Sequence, residues 1–517
     1  MLTKTIVKSG VYYDSATLMR ISGRVSGLEG VKDALVGMGT DLNKQSLADV
    51  GLLTEEAGSA SPNDLLIGLR ASDDRVLAAA LRLVDGLLVS PRPDRAGAAG
   101  ECRKQRPRSI AQACRLSPGY NLALISVPGR YAAREAREAL RQGMHVFLFS
   151  DNVSLEEELA LKEMAREKGL LVMGPDCGTA IINGIPLGFA NRVRRGAIGI
   201  IGASGTGIQQ VTAIVDSLGE GVSQAIGTGG RDLSREIGGR TTLSALEALA
   251  ADPGTRVIVL ISKPPAPDVA DRIAARAARI EKPLIMCMLG EHVPPVAAGT
   301  NVVRCGNLEE AAVQAVSLVR GCRVTLPAGD VTEAGGRLAG FRKPRQQYVR
   351  ALYGGGTLCD EAMMVFRRRG LPVRSNIPLD PSEALADVEK SEGNTFLDMG
   401  EDYFTRGRPH PMLEPGLRIP RLLREAGDPE VAVILFDVVL GYGSHGDPAG
   451  IMAGGVQQAR NLASGEGRTL AFVAAFVGTA ADPQGFSTQR RSLEQAGVIV
   501  CASNVRAANL AAALLTT

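Results

Sequence analysis

Six residues, GASGTG at 202–207, close a short apolar run and open a helical pattern. The chemistry they suit is anion binding. A helix start carries unpaired N–H groups and about half a positive charge, glycines let an anion approach the backbone, and small hydroxyls add donors. The loop has neither the GxGxxG order of a dinucleotide site nor the lysine of a P-loop. A tight strand-to-helix turn with a serine cap fits it equally well. Four more glycine loops follow apolar runs: GPDCGTA (174–180), IGTGGRD (226–232), YGGGTLCDE (353–361) and VLGYGSHGDPAG (439–450). In a parallel sheet ligands bind beyond the carboxyl ends of the strands, so loops repeated at that edge favour an anion site.

Of the four histidines, His445 sits inside a glycine loop and is the candidate for acid–base or charge-neutralising work. His145 opens a buried strand and reads as structural, His292 lies in a surface turn, and His410 lies in GRPHPM. Ser204 is in no G-x-S-x-G elbow and reads as a donor to an anion rather than a nucleophile. Arg231 and Arg408, both in glycine-rich surroundings, are candidates to hold a carboxylate by two bonds, or are ordinary surface residues.

The elements that position these loops follow from hydrophobic periodicity. Apolar runs at 122–127, 145–150, 170–174, 198–202, 257–262 and 284–289 alternate with amphipathic stretches, the pattern of parallel sheets covered by helices. Ser154 and Glu157 form a capping-box pattern. Ile208, Val211, Val215 and Leu218 make one apolar helix face. From Tyr348 a strand, glycine loop and helix recur. Asp-Pro precedes a buried strand in both DPGTRVIVLI (252–261) and DPEVAVILF (428–436), an echo consistent with duplication. Residues 91–108, rich in Pro, Gly and Arg, read as a linker, and 326–346 as a second hinge.

Composition bounds the function. The 517 residues suffice for roughly three domains. A net charge of +3 and 4% aromatics argue against nucleic-acid and membrane partners. Eight cysteines without a CxxC pair suggest a reduced, cytoplasmic setting, with neither a zinc site nor any other metal site expected. No signal peptide or transmembrane segment is expected.

The succession GPDCGTA, IGIIGASGTGIQQ and IGTGGRDLSREIGG resembles the α-subunit of succinyl-CoA synthetase. The stretch from about 346 onward, through NTFLDMGEDY and VAVILFDVVLGYGSHGDPAG, resembles the carboxy-terminal domain of the β-subunit. One chain carrying both resembles the FdrA family. The resemblance, which covers roughly 110–517, implies an α/β, multi-domain fold with a Rossmann-like, CoA-binding-like domain at 106–192 and two flavodoxin-like domains at 193–330 and 346–517; ahead of them residues 1–105 read by pattern as a small N-terminal α/β module with a basic linker. It implies a phosphate held between two helix starts, Gly202, Ser204, Gly205, Thr206 and Gly207 on one side and Gly441, Gly443 and Ser444 on the other. His445 and Ser204 would carry the chemistry, and Gly229, Gly230, Arg231 and Arg408 would bind substrate.

The departures matter too. The phosphohistidine loop is replaced by MLGEHVPPVAAGTNVV, and the ATP-grasp domain and the first CoA-nucleotide loop have no counterpart. The resemblance therefore points to a subunit of a carbamoyltransferase with no cofactor. It would act on carbamoyl phosphate and oxamate or oxalurate in purine (allantoin) breakdown, in a hetero-oligomer with further subunits. An acyl-CoA synthetase (succinate–CoA ligase-like) and a non-catalytic scaffold are the alternatives.

Overall fold

The computed structural model describes all residues except 12, 14, 90–106, 293, 297, 328–341, 407 and 517. Most of the expected linker at 91–108 and of the hinge at 326–346 lies outside the described residues. The chain divides into two compact units, Met1–Arg106 with Asp402–Pro409, and Pro107–Glu401 with His410–Thr517.

The first unit holds a three-stranded antiparallel sheet in the order Leu2–Lys8, Leu65–Ala71, Val31–Met38. The first strand stops at Lys8, ahead of Gly10, whose φ of +67° turns the chain. Helices Ser15–Ser26 and Asp74–Val89 bury Leu18, Ile21, Val25 and Val84 with Leu65 and Ile67 of the sheet.

Among the described residues the second unit holds three sheets. A small parallel one orders Leu122–Ile125, His145–Leu148 and Val172–Met173. The seven-stranded sheet contains a parallel run in the order Val222–Gly227, Arg195–Ala203, Val257–Ser262, Leu284–Met288, Val302–Arg304. Its other edge is the antiparallel hairpin Thr179–Ile182 and Ile185–Gly188. The six-stranded sheet runs Arg374–Ser375, Thr395–Asp398, Tyr348–Tyr353, Val431–Val439, Ala471–Val477, Ile499–Cys501. From the strand beside the opener outward, the two larger sheets have the same 2-1-3-4-5 arrangement, the flavodoxin-like order. In both, the strand after Asp-Pro lies directly beside the opening strand.

Buried Val, Ile, Leu and Ala from both larger sheets form one continuous apolar core that includes Ile200, Val259, Ile285, Ala351, Val433 and Val473. Such strands, apolar on both faces, need helices above and below. Gly205–Ser217 and Gly356–Arg368 are two of these helices. Their side chains Ile208, Val211, Leu358 and Met363 are fully buried in the shared core.

Polar contacts fix how the two halves meet. The Asn191 side chain donates to the Leu440 carbonyl at 3.0 Å and to Asp482 at 2.7 Å. Asn504 joins Tyr353 Oη, the Leu358 carbonyl, Glu361 and, through its backbone N–H, Gln210. Truncating a buried side chain with this many partners leaves several of them unpaired. Asn504→Ala is expected to cost about 2 kcal/mol, read from a shift in the urea midpoint at unchanged slope. Among the described residues no helix is long and apolar enough to cross a membrane.

Candidate functional site

The site is built where strand ends from the two larger sheets meet. On one side Arg195–Ala203 runs into Ser204, the N-cap of the 205–217 helix. Ser204 Oγ accepts from the Gly207 N–H at 2.9 Å and donates to Thr357 Oγ1 at 2.7 Å. The expected free donor is therefore committed on both sides: Ser204 caps one helix and clamps it to the start of the other. The N–H groups of Gly205 and Thr206 make no hydrogen bond among the described residues, as the geometry of a first helical turn dictates.

The segment that meets Ser204 and Thr206 is Gly355–Thr357. A Cβ on Gly355 would lie 2.6 Å from the Thr206 methyl carbon, so glycine is needed for this approach. The resemblance pairs Gly202–Gly207 with Gly441–Gly446 instead, and here the geometry corrects the expectation. Residues 441–446 are not a helix start, because the helix begins at Pro448 and its N-cap Asp447 accepts from the Gly450 N–H. Gly441 and Gly443 lie against Ala190 and Phe189 respectively, with a backbone bond from Tyr442 to the Ala190 carbonyl. Gly205 lies against Thr179. Thr179 and Gly188 are register partners in the antiparallel hairpin, so both glycine loops border one wall, residues 178–191. Ser444 Oγ is buried without a hydrogen-bond partner.

The expected histidine, His445, is half-buried. Its backbone N–H is held by the Met412 carbonyl, and its Nδ1 accepts from the Asp447 N–H at 3.0 Å, leaving Nε2 as the atom able to face a ligand. His410, which sequence reasoning passed over, packs on Phe189 with ring centroids 5.9 Å apart and accepts at Nδ1 from the Met412 N–H. Burial, with a smaller push from Arg418, lowers its imidazole to about 4, so it is neutral at neutral pH. His145 is structural as expected: its Nδ1 accepts from the Leu171 N–H. His292 pairs with Asp271 at 2.8 Å.

Of the expected carboxylate-binding arginines, Arg231 is committed to another partner. Arg231 is tied to the Val153 carbonyl at 2.7 Å and to the fully buried Glu158 at 2.9 Å, which also pairs with Lys162 at 2.9 Å. Gly229, with φ +89°, lies against Gly174–Pro175, and Gly230 lies against Asp176, so this pair shapes the loop around Asp176. Arg408 is exposed and belongs to the first compact unit.

Charged residues just after the strands were missed. Lys263 directly follows Val257–Ser262, Asp398 ends Thr395–Asp398, and Asp360 lies in the first turns of the 356–368 helix. A Cβ on Gly356 would come within 2.8 Å of Lys263 Nζ and would run into Asp398 Oδ2, so both groups lie over that helix start. Burial pushes the Asp360 carboxyl up to about 7 and the Asp398 carboxyl up to about 6, with Lys263 opposing the rise. Asp176 is open to solvent but walled by protein, and desolvation lifts it to about 6. Burial alone would lower the Lys263 ammonium, but Asp360, Asp398 and Asp176 outweigh it and hold the group above its ordinary value. Behind the helix start, Asp437 accepts from the N–H groups of Gly354 and Gly355 and pairs with Arg418 at 2.7 Å. The signal available in sequence was a charged residue immediately after an apolar run, in LISK and TFLD.

Family profiles match residues 193–288 (CoA binding domain), 352–514 (CoA-ligase) and 1–105 (AllF, heavy metal-associated domain). The metal named in the last description finds no fitting donors. Within residues 1–105 the sole cysteine is Cys102 and there is no histidine. Among the described residues no group of three or more His, Cys, Asp or Glu could hold a metal ion. The chain is 45% identical to the uncharacterized protein YahF of Escherichia coli K12 over 99% of this chain and 98% of that one. It is 31% identical to the mitochondrial alpha-2 subunit of the ADP-forming succinate–CoA ligase of Trichomonas vaginalis, over 34% of this chain and 58% of that subunit. The apo dinucleotide-forming acetyl-coenzyme A synthetase 1 of Ca. Korarchaeum cryptofilum aligns over 76% of this chain and 82% of that one, at 17% identity and a TM-score of 0.26.

Proposed function

Because the chain belongs to the FdrA family of succinyl-CoA synthetase-like proteins, we propose that its site binds an acyl phosphate made elsewhere and transfers the acyl group. The coarse class is that of an acyl-CoA ligase-type protein. The finer reading is carbamoyl transfer, carbamoyl phosphate + oxamate ⇌ oxalurate + phosphate, run physiologically toward carbamoyl phosphate by a subunit working with further subunits.

The observation that carries this reading is the pair of unpartnered N–H groups, Gly205 and Thr206, at the start of a 13-residue helix between two ligase-type domains. Fixed donors of this kind stabilise the charge that develops on a departing phosphate. In this reading Ser444 Oγ, buried without a partner on the neighbouring loop, and His445 Nε2 are the further donors to a phosphoryl oxygen. Thr357, rather than Ser204, supplies the onward hydroxyl donor in this reading, because it accepts from Ser204 and keeps its own proton.

A second reading, use of CoA, is favoured by the CoA-binding match at 193–288. Isothermal titration with carbamoyl phosphate, inorganic phosphate and CoA separates the two. The proposal expects saturable binding of the first two and roughly tenfold or greater weakening in Ser444→Ala, since a hydrogen bond to a charged group contributes about 1.5–3 kcal/mol. Tight CoA binding with no response to carbamoyl phosphate would overturn it. The scaffold alternative predicts transferase activity in the co-expressed complex that is indifferent to Ser444→Ala and His445→Ala.

A further inference from the structure

With Arg231 committed to Glu158, the acceptor acid needs another cation. Lys263 is the one the strands bring to the cradle. Among the described residues its ammonium forms no ion pair with any carboxylate and makes no hydrogen bond. Asp360, 5% exposed, makes no hydrogen bond or ion pair, and Asp398, 4% exposed, uses only Oδ1, which accepts from the Gly400 N–H at 2.9 Å. Three charged groups therefore surround the start of one helix, close enough to act on each other but not in contact. Buried charges are ordinarily paired or hydrogen-bonded, and these lack only a partner that fits between them. Gly356 keeps the space open, since any side chain there would fill it.

We propose that Lys263, Asp360 and Asp398 form the acceptor subsite, binding a small acid that carries a carboxylate beside a carboxamide. The inference rests on the acyl-phosphate reading and deepens it. The acceptor carboxylate pairs with Nζ of Lys263, and its amide N–H groups donate to Asp398 Oδ2 and Asp360. The amide nitrogen attacks the carbamoyl carbon, forming a C–N bond while the C–O bond to phosphorus breaks. Phosphate leaves with that electron pair, and the amide proton passes to the aspartate and then to the departing phosphate, so atoms and charge balance. A base suited to neutral pH needs a pKa near the working pH, and burial gives both carboxyls such values, about 7 and about 6. The other ionisable groups facing the cluster are Asp176 and Glu401, with Asp437 and Arg418 behind the helix start. His410 is neutral and adds no charge.

The test uses the full chain with Lys263→Ala, Lys263→Arg, Asp398→Asn and Asp360→Asn. Oxamate and carbamoyl phosphate are titrated calorimetrically, and oxalurate formation is followed from pH 5 to 9 with the co-expressed complex. Wild-type kcat/KM should rise through pH 6–7 and level off. Lys263→Ala should weaken oxamate at least 30-fold and carbamoyl phosphate less than threefold, and Lys263→Arg should recover most of the oxamate affinity. Asp398→Asn or Asp360→Asn should remove the pH 6–7 limb and lower kcat about 100-fold. If the wild type binds carbamoyl phosphate while all four variants keep wild-type oxamate affinity and pH profile, the subsite is overturned and the donor site stands. If the wild type binds no carbamoyl phosphate, the acyl-phosphate reading itself fails.

Discussion

Gly356→Ala is expected to abolish transfer while leaving the fold intact. The position has an ordinary backbone conformation, so alanine brings no strain there and, at a helix start, little loss of helix propensity. What it adds is one methyl group pressing against Asp398 Oδ2 and Lys263 Nζ. Both contacts are with the ends of side chains, which yield more readily than backbone. The two functional groups move apart and the gap between them closes. A misplacement of about 1 Å in a reacting constellation costs on the order of 100-fold in rate. The expected result is a loss of kcat of that size or larger in the oxalurate assay, with a melting temperature within a few degrees of wild type. A variant of normal activity would show that the space over the helix start is not used.

Lys263→Met is expected to make stability strongly dependent on pH. Asp360 and Asp398 have carboxyls raised above the ordinary value of 3.8, to about 7 and about 6, even with the lysine beside them. A carboxyl raised in the folded state stabilises the fold when protonated, and that contribution is lost as pH rises through the folded value. In wild type this loss runs from about pH 4, the ordinary carboxyl value, up to about pH 6 and 7, and is softened by the ammonium. Removing the ammonium leaves two buried carboxylates without compensation above pH 7, a change that costs about 3–5 kcal/mol in comparable buried pairs. Below pH 5 both carboxyls are protonated, and methionine, similar in length and apolar, packs without penalty. Calorimetric scans should therefore show a small difference from wild type at pH 5 and a fall of roughly 5 °C or more at pH 8. Equal shifts at the two pH values would mean that Lys263 contributes packing and not charge.

The parts legible in the sequence were those governed by local pattern. Val257–Ser262 appears with the bounds its apolar run announced, because a strand buried on both faces is apolar throughout. Ser154 caps its helix through the Glu157 N–H, although the reciprocal bond from the glutamate side chain is not made. The Asp-Pro echo marks equivalent strands of two like sheets. What was hidden depended on contacts between distant segments. The pairing of Ser204 with Thr357 spans 153 residues and leaves no periodic trace. The cap at Asp447 lies three residues beyond Ser444, so a glycine-rich stretch passed for a helix start that comes later. Arg231 had the right residue type, but only the fold brings it to Glu158. His445 was ranked first by its glycine loop and His410 was passed over, since the desolvation that lowers its imidazole to about 4 comes from packing of distant segments.

The clasp of Asn191 on Leu440 and Asp482 joins, inside one polypeptide, two halves that resemble separate subunits of the ligases. Tethering turns their encounter into an intramolecular event, whose effective concentration does not depend on how dilute the protein is. Dilution therefore cannot separate the walls of the cradle. Each molecule is born with one of each half, and a cell making it has no need to balance the synthesis of two gene products. Phosphate or carbamoyl phosphate titrations run at nanomolar and micromolar protein should give the same affinity.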